Sequence, residues 1–114
     1  IKENPHQETS AEIRKRVVAA MERQQQRFAG TNIRYNSRIP AALLTKYCRL
    51  STKQKQYMES IYQKLELTAR SYHRILRVAR TIADIEGSEE IRMEHLHEAI
   101  CYRSIDSNFW ERRR

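Results

Sequence analysis

The sequence has little glycine and proline, with two of each in 114 residues. Both residues mark turns and interrupt helices, so their scarcity leaves few positions for tight turns. No segment alternates apolar and polar residues with the period of two that a half-buried strand requires. Arg, Gln, Glu, Ala and Leu, which favour helix, are abundant instead. The sequence therefore predicts an all-α fold.

Long apolar runs are also missing. No stretch approaches the roughly 20 consecutive apolar residues of a membrane-spanning helix. The first ten residues, IKENPHQETS, are too polar for a signal peptide. We therefore expect a cytoplasmic protein that has no membrane partner. A chain of this length can bury roughly two-thirds of its unfolded surface, which suffices for one domain.

Cysteine is scarce as well, and Cys48 and Cys101 are the two present. Each lies beside apolar neighbours in a helical pattern, without the second Cys or the suitably spaced His that a zinc site needs. His95 and His97 are two residues apart and would point in different directions on a helix. We expect two buried, reduced thiols and assign no metal site.

Positive charge is plentiful, because 22 Lys and Arg residues against 14 Asp and Glu give a formal net charge of +8. This balance favours an anionic partner, which could be phosphate, nucleic acid or an acidic protein surface. If the partner is nucleic acid, the helix pair around Ser51 is one candidate contact with backbone phosphates. The other candidate is a set of basic residues on the first predicted helix: Arg14, Lys15, Arg16, Arg23 and Arg27.

Capping signals divide residues 9–106 into a compact bundle of about five helices, between a flexible linker at 1–8 and a frayed tail at 107–114. Thr9 and Glu12 form a capping box that opens the first helix, which should end near Phe28, before Gly30. Its expected apolar seam is Ile13, Val17, Ala20, Met21, Gln24 and Phe28. After a loop at 31–38, Pro40 can occupy the first turn of a second helix that ends near Cys48.

Ser51 and Gln54 form another capping box, which opens the third helix. Its expected core-facing residues are Tyr57, Met58, Ile61, Tyr62 and Leu65. Thr68 caps a fourth helix from Ala69 to about Glu86, and Gly87 ends it. A fifth helix is entered at Ile91, with Met93, Leu96, Ala99 and Ile100 facing inward.

The fourth helix is amphipathic. Its apolar face comprises Tyr72, Ile75, Leu76, Ala79, Ile82 and Ala83, and its opposite side carries Arg70, Arg74, Arg77, Thr81 and Asp84. A solvated basic face, with Arg80 and Asp84 paired at the surface, would explain most of this pattern. Arg70 is harder to explain, because a cation in the first turn opposes the helix dipole. Either Glu66 neutralises it or a phosphate binds there.

The segment ARSYHRILRVARTIADIEGSEEI closely resembles the C-terminal lid domain of the magnesium-chelatase subunit I-like AAA+ ATPases, in particular their competence-protein branch. ETSAEIRKRVVAAMERQQQRF, LTKYCRL and HLHEAICYRSID are similar to other landmarks of that branch, in the same order. The resemblance covers about residues 8–106. It implies a helical lid that packs over a nucleotide held by a preceding α/β ATPase module, within a ring of neighbouring subunits.

The resemblance also implies a role for Arg70, which matches the sensor-2 arginine that reaches the ATP γ-phosphate. Arg77, two turns further on, is a weaker candidate for the same contact. The sequence contains no GxxxxGK[ST] loop and no acidic strand end that could hold Mg²⁺. The expected cofactor is therefore ATP, with Mg²⁺ bound by the missing module. We expect no catalytic residue in this chain.

Within this branch the expected substrate of the parent protein is DNA. Two alternatives remain open at this point. One is a basic helical module that itself binds nucleic acid. The other is the lid of a subunit that inserts magnesium into a tetrapyrrole. The terminal NFWERRR departs from the family pattern and has no assigned role.

Overall fold

The computed structural model describes residues 9–102. In this range it contains five α-helices, two short 3-10 turns and no strand, which confirms the all-α prediction. The helices are α1 (Ser10–Arg27), α2 (Leu44–Tyr47), α3 (Thr52–Lys64), α4 (Ala69–Glu86) and α5 (residues 93–102). The predicted linker at 1–8, the tail at 107–114 and the domain boundary at 106 lie outside the described residues.

Helix α1 begins where its cap was predicted, since the Glu12 amide donates to the Thr9 hydroxyl at 3.1 Å. The C-terminal half of α1 packs on the bundle, where Ala20, Gln24 and Phe28 are buried. Its N-terminal half projects from the bundle, which leaves exposed apolar side chains at Ile13, Val17, Val18 and Met21. The predicted continuous seam is therefore wrong for this half, because an 18-residue helix of about 27 Å outreaches the surface that it packs on.

The segment between α1 and α2 is packed, although it was predicted as a loop. It contains 3-10 turns at Asn36–Arg38 and Ala41–Leu43. Asn36 and Ile39 are each 1% exposed, and the Asn36 amide donates to Gln24 Oε1 at 2.9 Å. The predicted second helix is shorter than expected and is α-helical over Leu44–Tyr47. The residues just after Pro40 adopt the tighter 3-10 geometry instead.

Helix α3 begins with the complete Ser51–Gln54 capping box that was predicted. Met58 is fully buried on its inner face. Tyr62 and Leu65, which were expected in the core, are 39% and 42% exposed because they lie on the margin of the packed face. The Tyr62 ring still makes an edge contact with Tyr72 of α4, at 5.7 Å between ring centroids.

Helix α4 forms the centre of the bundle and has the predicted bounds. The Thr68 hydroxyl accepts from the Ser71 amide, and Gly87 ends the helix at φ +84°. Ile75, Ala79 and Ala83 are fully buried. The other buried apolar residues around them are Phe28, Ile39, Leu44, Cys48, Met58, Leu67, Leu76, Ile91, Leu96 and Ala99.

Helix α5 completes this core with Leu96 and Ala99. Met93 was expected to face inward but is 40% exposed, because it lies at the first position of the helix. Cys101 lies on the outer side of α5 and is exposed, so the prediction of two buried thiols holds for Cys48 and is wrong for Cys101. Across residues 9–102 there is no helix with both the length and the apolarity to cross a bilayer.

Candidate functional site

Arg70 lies in the first turn of α4 with its side chain exposed to solvent. Glu66, which could have neutralised it, has a left-handed backbone at φ +50°, just before the cap of α4. Among residues 9–102, no ion pair joins Arg70 to Glu66 or to another carboxylate. The guanidinium therefore remains accessible beside the positive end of the helix dipole, where an anion would be stabilised.

Arg70, Arg74 and Arg77 line a cleft of about 650 Å³, which we call the arginine cleft. Its other lining residues are Ser37, Val78, Thr81, Ile82 and Tyr102. Arg77 is partly immobilised, because its Nε donates to the Ile39 carbonyl at 2.9 Å. The Arg70 guanidinium and the exposed Ser37 hydroxyl are donors that suit phosphate, and Arg74 and Arg77 add positive charge beside them. The cleft thus places the sequence-predicted residues Arg70 and Arg77 on one surface.

Asp84 and Arg80 do not form the surface pair that the sequence predicted. Asp84 is fully buried and Arg80 is 4% exposed, because α1 and the Asn36–Arg38 turn pack over this side of α4. The Asp84 carboxylate accepts from both terminal nitrogens of Arg27, at 2.8 and 2.6 Å, and from Asn36 Nδ2 at 2.8 Å. Arg80 Nη2 lies 3.1 Å from the same carboxylate. The basic side of α4 is therefore divided between a solvated cleft and a buried network.

The five basic residues proposed for nucleic-acid binding fall into two groups. Arg14, Lys15 and Arg16 are exposed on the projecting half of α1. Arg23 instead donates to the Asp84 carbonyl at 3.1 Å, and Arg27 binds the Asp84 carboxylate. Helical periodicity could not predict this division, because Arg27 and Asp84, which meet here, are 57 positions apart in the sequence.

Cys48 lies close to the buried network. Burial raises the pKa of its thiol to about 11, and the charges of Arg80, Arg27 and Arg77 oppose that shift. The thiol is therefore neutral near pH 7 and is a poor nucleophile. It belongs to the core rather than to a reactive site.

Glu86, Glu94 and His95 form a cluster whose donor atoms lie within 4.8 Å of one another. His95 is fully buried, and its Nδ1 accepts from the Arg92 amide at 2.8 Å. A neutral imidazole that accepts at Nδ1 carries its proton on Nε2, which faces Glu86 Oε2 at 3.2 Å. Nε2 makes no hydrogen bond within the described residues, so the Nδ1 bond to the Arg92 amide is the contact that holds His95 at the start of α5.

Residues 7–103 match the family model for the C-terminal part of the magnesium chelatase subunit ChlI. The chain is also 42% identical over 99 residues to the uncharacterized protein YifB of Salmonella typhimurium. It is 40% identical over 98 residues to the competence protein ComM of Haemophilus influenzae and 39% identical over 99 residues to YifB of Escherichia coli.

These alignments cover 86–87% of the present chain but 18–19% of each relative. The chain therefore spans about a fifth of the length of the curated relatives that it matches. The matched family model describes the C-terminal part of the magnesium chelatase subunit.

Proposed function

Because the chain belongs to the family of magnesium chelatase subunit ChlI C-terminal domains, we propose that it is the helical lid of a longer AAA+ ATPase. In this proposal the lid packs over ATP held by the preceding α/β module, with Mg²⁺ bound by that module. Neighbouring subunits of a ring are the further partners, and the cytoplasm is the expected compartment. The similarity to a competence protein favours DNA as the substrate of the parent protein.

The accessibility of the Arg70 guanidinium is the observation that supports this proposal most directly. Its guanidinium is exposed in the arginine cleft and, within residues 9–102, has no carboxylate partner. An arginine that senses a phosphate on another module must be accessible and must not already be neutralised. Arg77 meets this requirement less well, because the Ile39 carbonyl holds its Nε.

The proposed mechanism is conformational. When the lid closes on the preceding module, Arg70 donates to the terminal phosphate of ATP, and the cleft supplies further positive charge. Hydrolysis removes that contact, so the lid can rotate and transmit motion to a neighbouring subunit. One charge-assisted contact contributes about 1.5–3 kcal/mol, so the isolated lid should bind ATP weakly.

Substitution of Arg70 in the full-length parent protein tests this role. We expect Arg70→Ala to lower ATP turnover by roughly 10²-fold, as removal of a single preorganised donor to developing charge does in other enzymes. Arg70→Lys should recover part of the rate, since it restores charge without the planar guanidinium. Arg34→Ala is a suitable control, because Arg34 is exposed and lines none of the clefts described here. Unchanged turnover in Arg70→Ala would refute the sensor role.

A second candidate function is direct binding of nucleic acid. It is favoured by Arg14 and Lys15, which are exposed on the projecting half of α1. Titration with duplex and single-stranded DNA at two salt concentrations tests it, because a binder that uses several phosphate contacts loses affinity steeply as salt rises.

If the parent inserts magnesium into a tetrapyrrole instead, its ATP turnover should respond to porphyrin and not to DNA.

A further inference from the structure

The buried network around Asp84 contains more positive than negative charge. Arg27 and Arg80 share the single carboxylate of Asp84, whose other hydrogen-bond partner, Asn36, is neutral. Asp84 is fully buried, and the side chains of Arg80 and Arg27 are 5% and 17% exposed. An excess cation held out of water is costly unless an anion compensates it.

Arg80 is incompletely satisfied within this network. Its Nη1 donates to the Glu89 carbonyl at 3.0 Å and its Nη2 to the Ser88 carbonyl at 2.9 Å. Its Nε is buried without a hydrogen-bond partner. Burial lowers the pKa of Arg80, and the neighbouring Arg27 acts in the same direction, whereas Asp84 opposes the shift. The Arg80 guanidinium thus lies in an environment where positive charge exceeds negative charge.

Both arginines reach the wall of a second cleft, of about 770 Å³, which we call the interhelical cleft. It lies between the Lys46–Gln54 segment, which joins α2 to α3, and the Glu89–Met93 segment, which precedes α5. Three exposed cations line it in addition to Arg27 and Arg80: Lys46, Arg49 and Arg92. Glu89 and Glu90 also line it, so the cations outnumber the carboxylates by five to two.

The N-terminus of α3 opens into the same cleft, since Ser51 and Gln54 line it. This helix has 13 residues, so its dipole contributes positive potential there. The capping box occupies the amides of Ser51 and Gln54, and Gln54 Nε2 donates to the carbonyl of Ile91, another lining residue, at 2.8 Å. The interhelical cleft is therefore lined by the N-terminus of α3, by three exposed cations and by the two arginines of the Asp84 network.

We propose that the interhelical cleft is a phosphate-binding site, separate from the arginine cleft. A phosphate group fits better than a carboxylate, because several oxygens and up to two negative charges match several convergent cations. The two clefts share no lining residue. The phosphate could belong to a nucleic-acid backbone or to a small phosphate compound, and both present the same oxygens to the protein.

Titration of the ¹⁵N-labelled 114-residue chain tests the site. Inorganic phosphate, ATP and a single-stranded oligonucleotide would be added separately at each of two fixed salt concentrations, and amide chemical shifts would be recorded. We expect saturable shifts at Lys46, Arg49, Gln54 and Arg92. Stronger binding of the oligonucleotide, with a steep salt dependence, would identify the source as a nucleic-acid backbone. Equal or stronger binding of phosphate or ATP would identify a small phosphate compound.

A charge-reversed variant, Lys46→Glu with Arg49→Glu, should weaken this binding by about tenfold or more, since it changes two cations to anions in the cleft. Both positions are exposed, so the fold should survive, and circular dichroism would verify it. Lys64→Glu is the matched control, because Lys64 is exposed at the other end of α3 and lines no described cleft. It should bind phosphate almost as tightly as the wild type.

Shifts that do not saturate, or that persist in the Lys46→Glu, Arg49→Glu variant, would overturn the proposal. The result is independent of the sensor role of Arg70. Arg70→Ala should leave phosphate binding at the interhelical cleft unchanged, and the sensor role is measured by ATP turnover of the parent protein instead.

Discussion

Arg27 on α1 and Asp84 on α4 form a two-point ion pair, with Nη1–Oδ2 and Nη2–Oδ1 distances of 2.8 and 2.6 Å. The pair joins helices that are far apart in sequence and fixes their relative position. Asn36 adds a third bond to the same carboxylate, which also ties the Asn36–Arg38 turn to α4. The buried Asp84 carboxylate therefore stabilises the packing of α1 and of the Asn36–Arg38 turn on α4.

Asp84→Asn should strongly destabilise the protein. The substitution keeps the size of the side chain but removes the counter-charge of Arg27 and Arg80, and breaking a buried pair typically costs about 3–5 kcal/mol. Urea unfolding monitored by circular dichroism would measure the loss. Glu98→Gln, an equivalent neutralisation at an exposed position of α5, should change the free energy of unfolding by less than about 0.5 kcal/mol. Similar values for the two variants would contradict a structural role for Asp84.

Arg70 and Arg77 should differ in their contribution to stability. Arg77→Ala removes the donor to the Ile39 carbonyl, which lies in a buried residue, and should cost about 1–3 kcal/mol. Arg70→Ala should change stability by less than about 0.5 kcal/mol, because the side chain is exposed. Thermal unfolding of the two variants would show the difference. A large loss in Arg70→Ala would mean that Arg70 has a structural partner.

The two cysteines should react differently with iodoacetamide. Cys101 is exposed, whereas Cys48 is buried and has a pKa of about 11. Near pH 7.5 the native chain should therefore gain one adduct, on Cys101, and the chain in denaturant should gain two. Mass spectrometry of the intact chain and of its peptides would locate the adducts. Rapid modification of Cys48 in the native chain would refute its burial.

Cys48 should also make stability depend on pH in the alkaline range. The folded chain keeps the thiol proton up to a pKa of about 11, whereas an unperturbed thiol loses it near 9.0. The stabilisation is therefore complete below pH 9 and is lost as pH rises toward 11. Urea unfolding at pH 7, 9 and 10 should show this decline, and Cys48→Ala should reduce its slope. An equal slope in the variant would assign the decline to other groups.

Glycine should be required at positions 30 and 87, which follow α1 and α4 and have a left-handed backbone conformation. Gly30 and Gly87 have φ values of +80° and +84°, so alanine at either position should cost about 1–2 kcal/mol of backbone strain. A Cβ at Gly30 meets nothing within 4 Å, whereas at Gly87 it would lie 3.4 Å from Arg23 Nη2. Urea unfolding should therefore show a lower free energy of unfolding for Gly30→Ala, and this decrease is due to backbone strain. No loss in either variant would refute the need for glycine.

The sequence predicted the ends of the helices best. Thr9, Ser51 and Thr68 accept the amide bonds expected of caps, and Gly87 ends α4 at the predicted position. These features depend on residues three or four positions apart, so they are encoded locally. The family resemblance was likewise visible in short segments, and the matched family model confirms it.

Tertiary structure decided which side chains are buried. Helical periodicity assigned Asp84 to a solvated face and Ile13 to the core, and both assignments were wrong. A helix shows in its sequence which residues share a face, but not which neighbour covers that face or how far along its length the contact extends. The arginines of the arginine cleft all lie on the single helix α4, whereas the cations of the interhelical cleft come from segments that meet only when the chain folds. The sequence therefore determined the helices and the family, and packing determined which of their charges are exposed to a ligand.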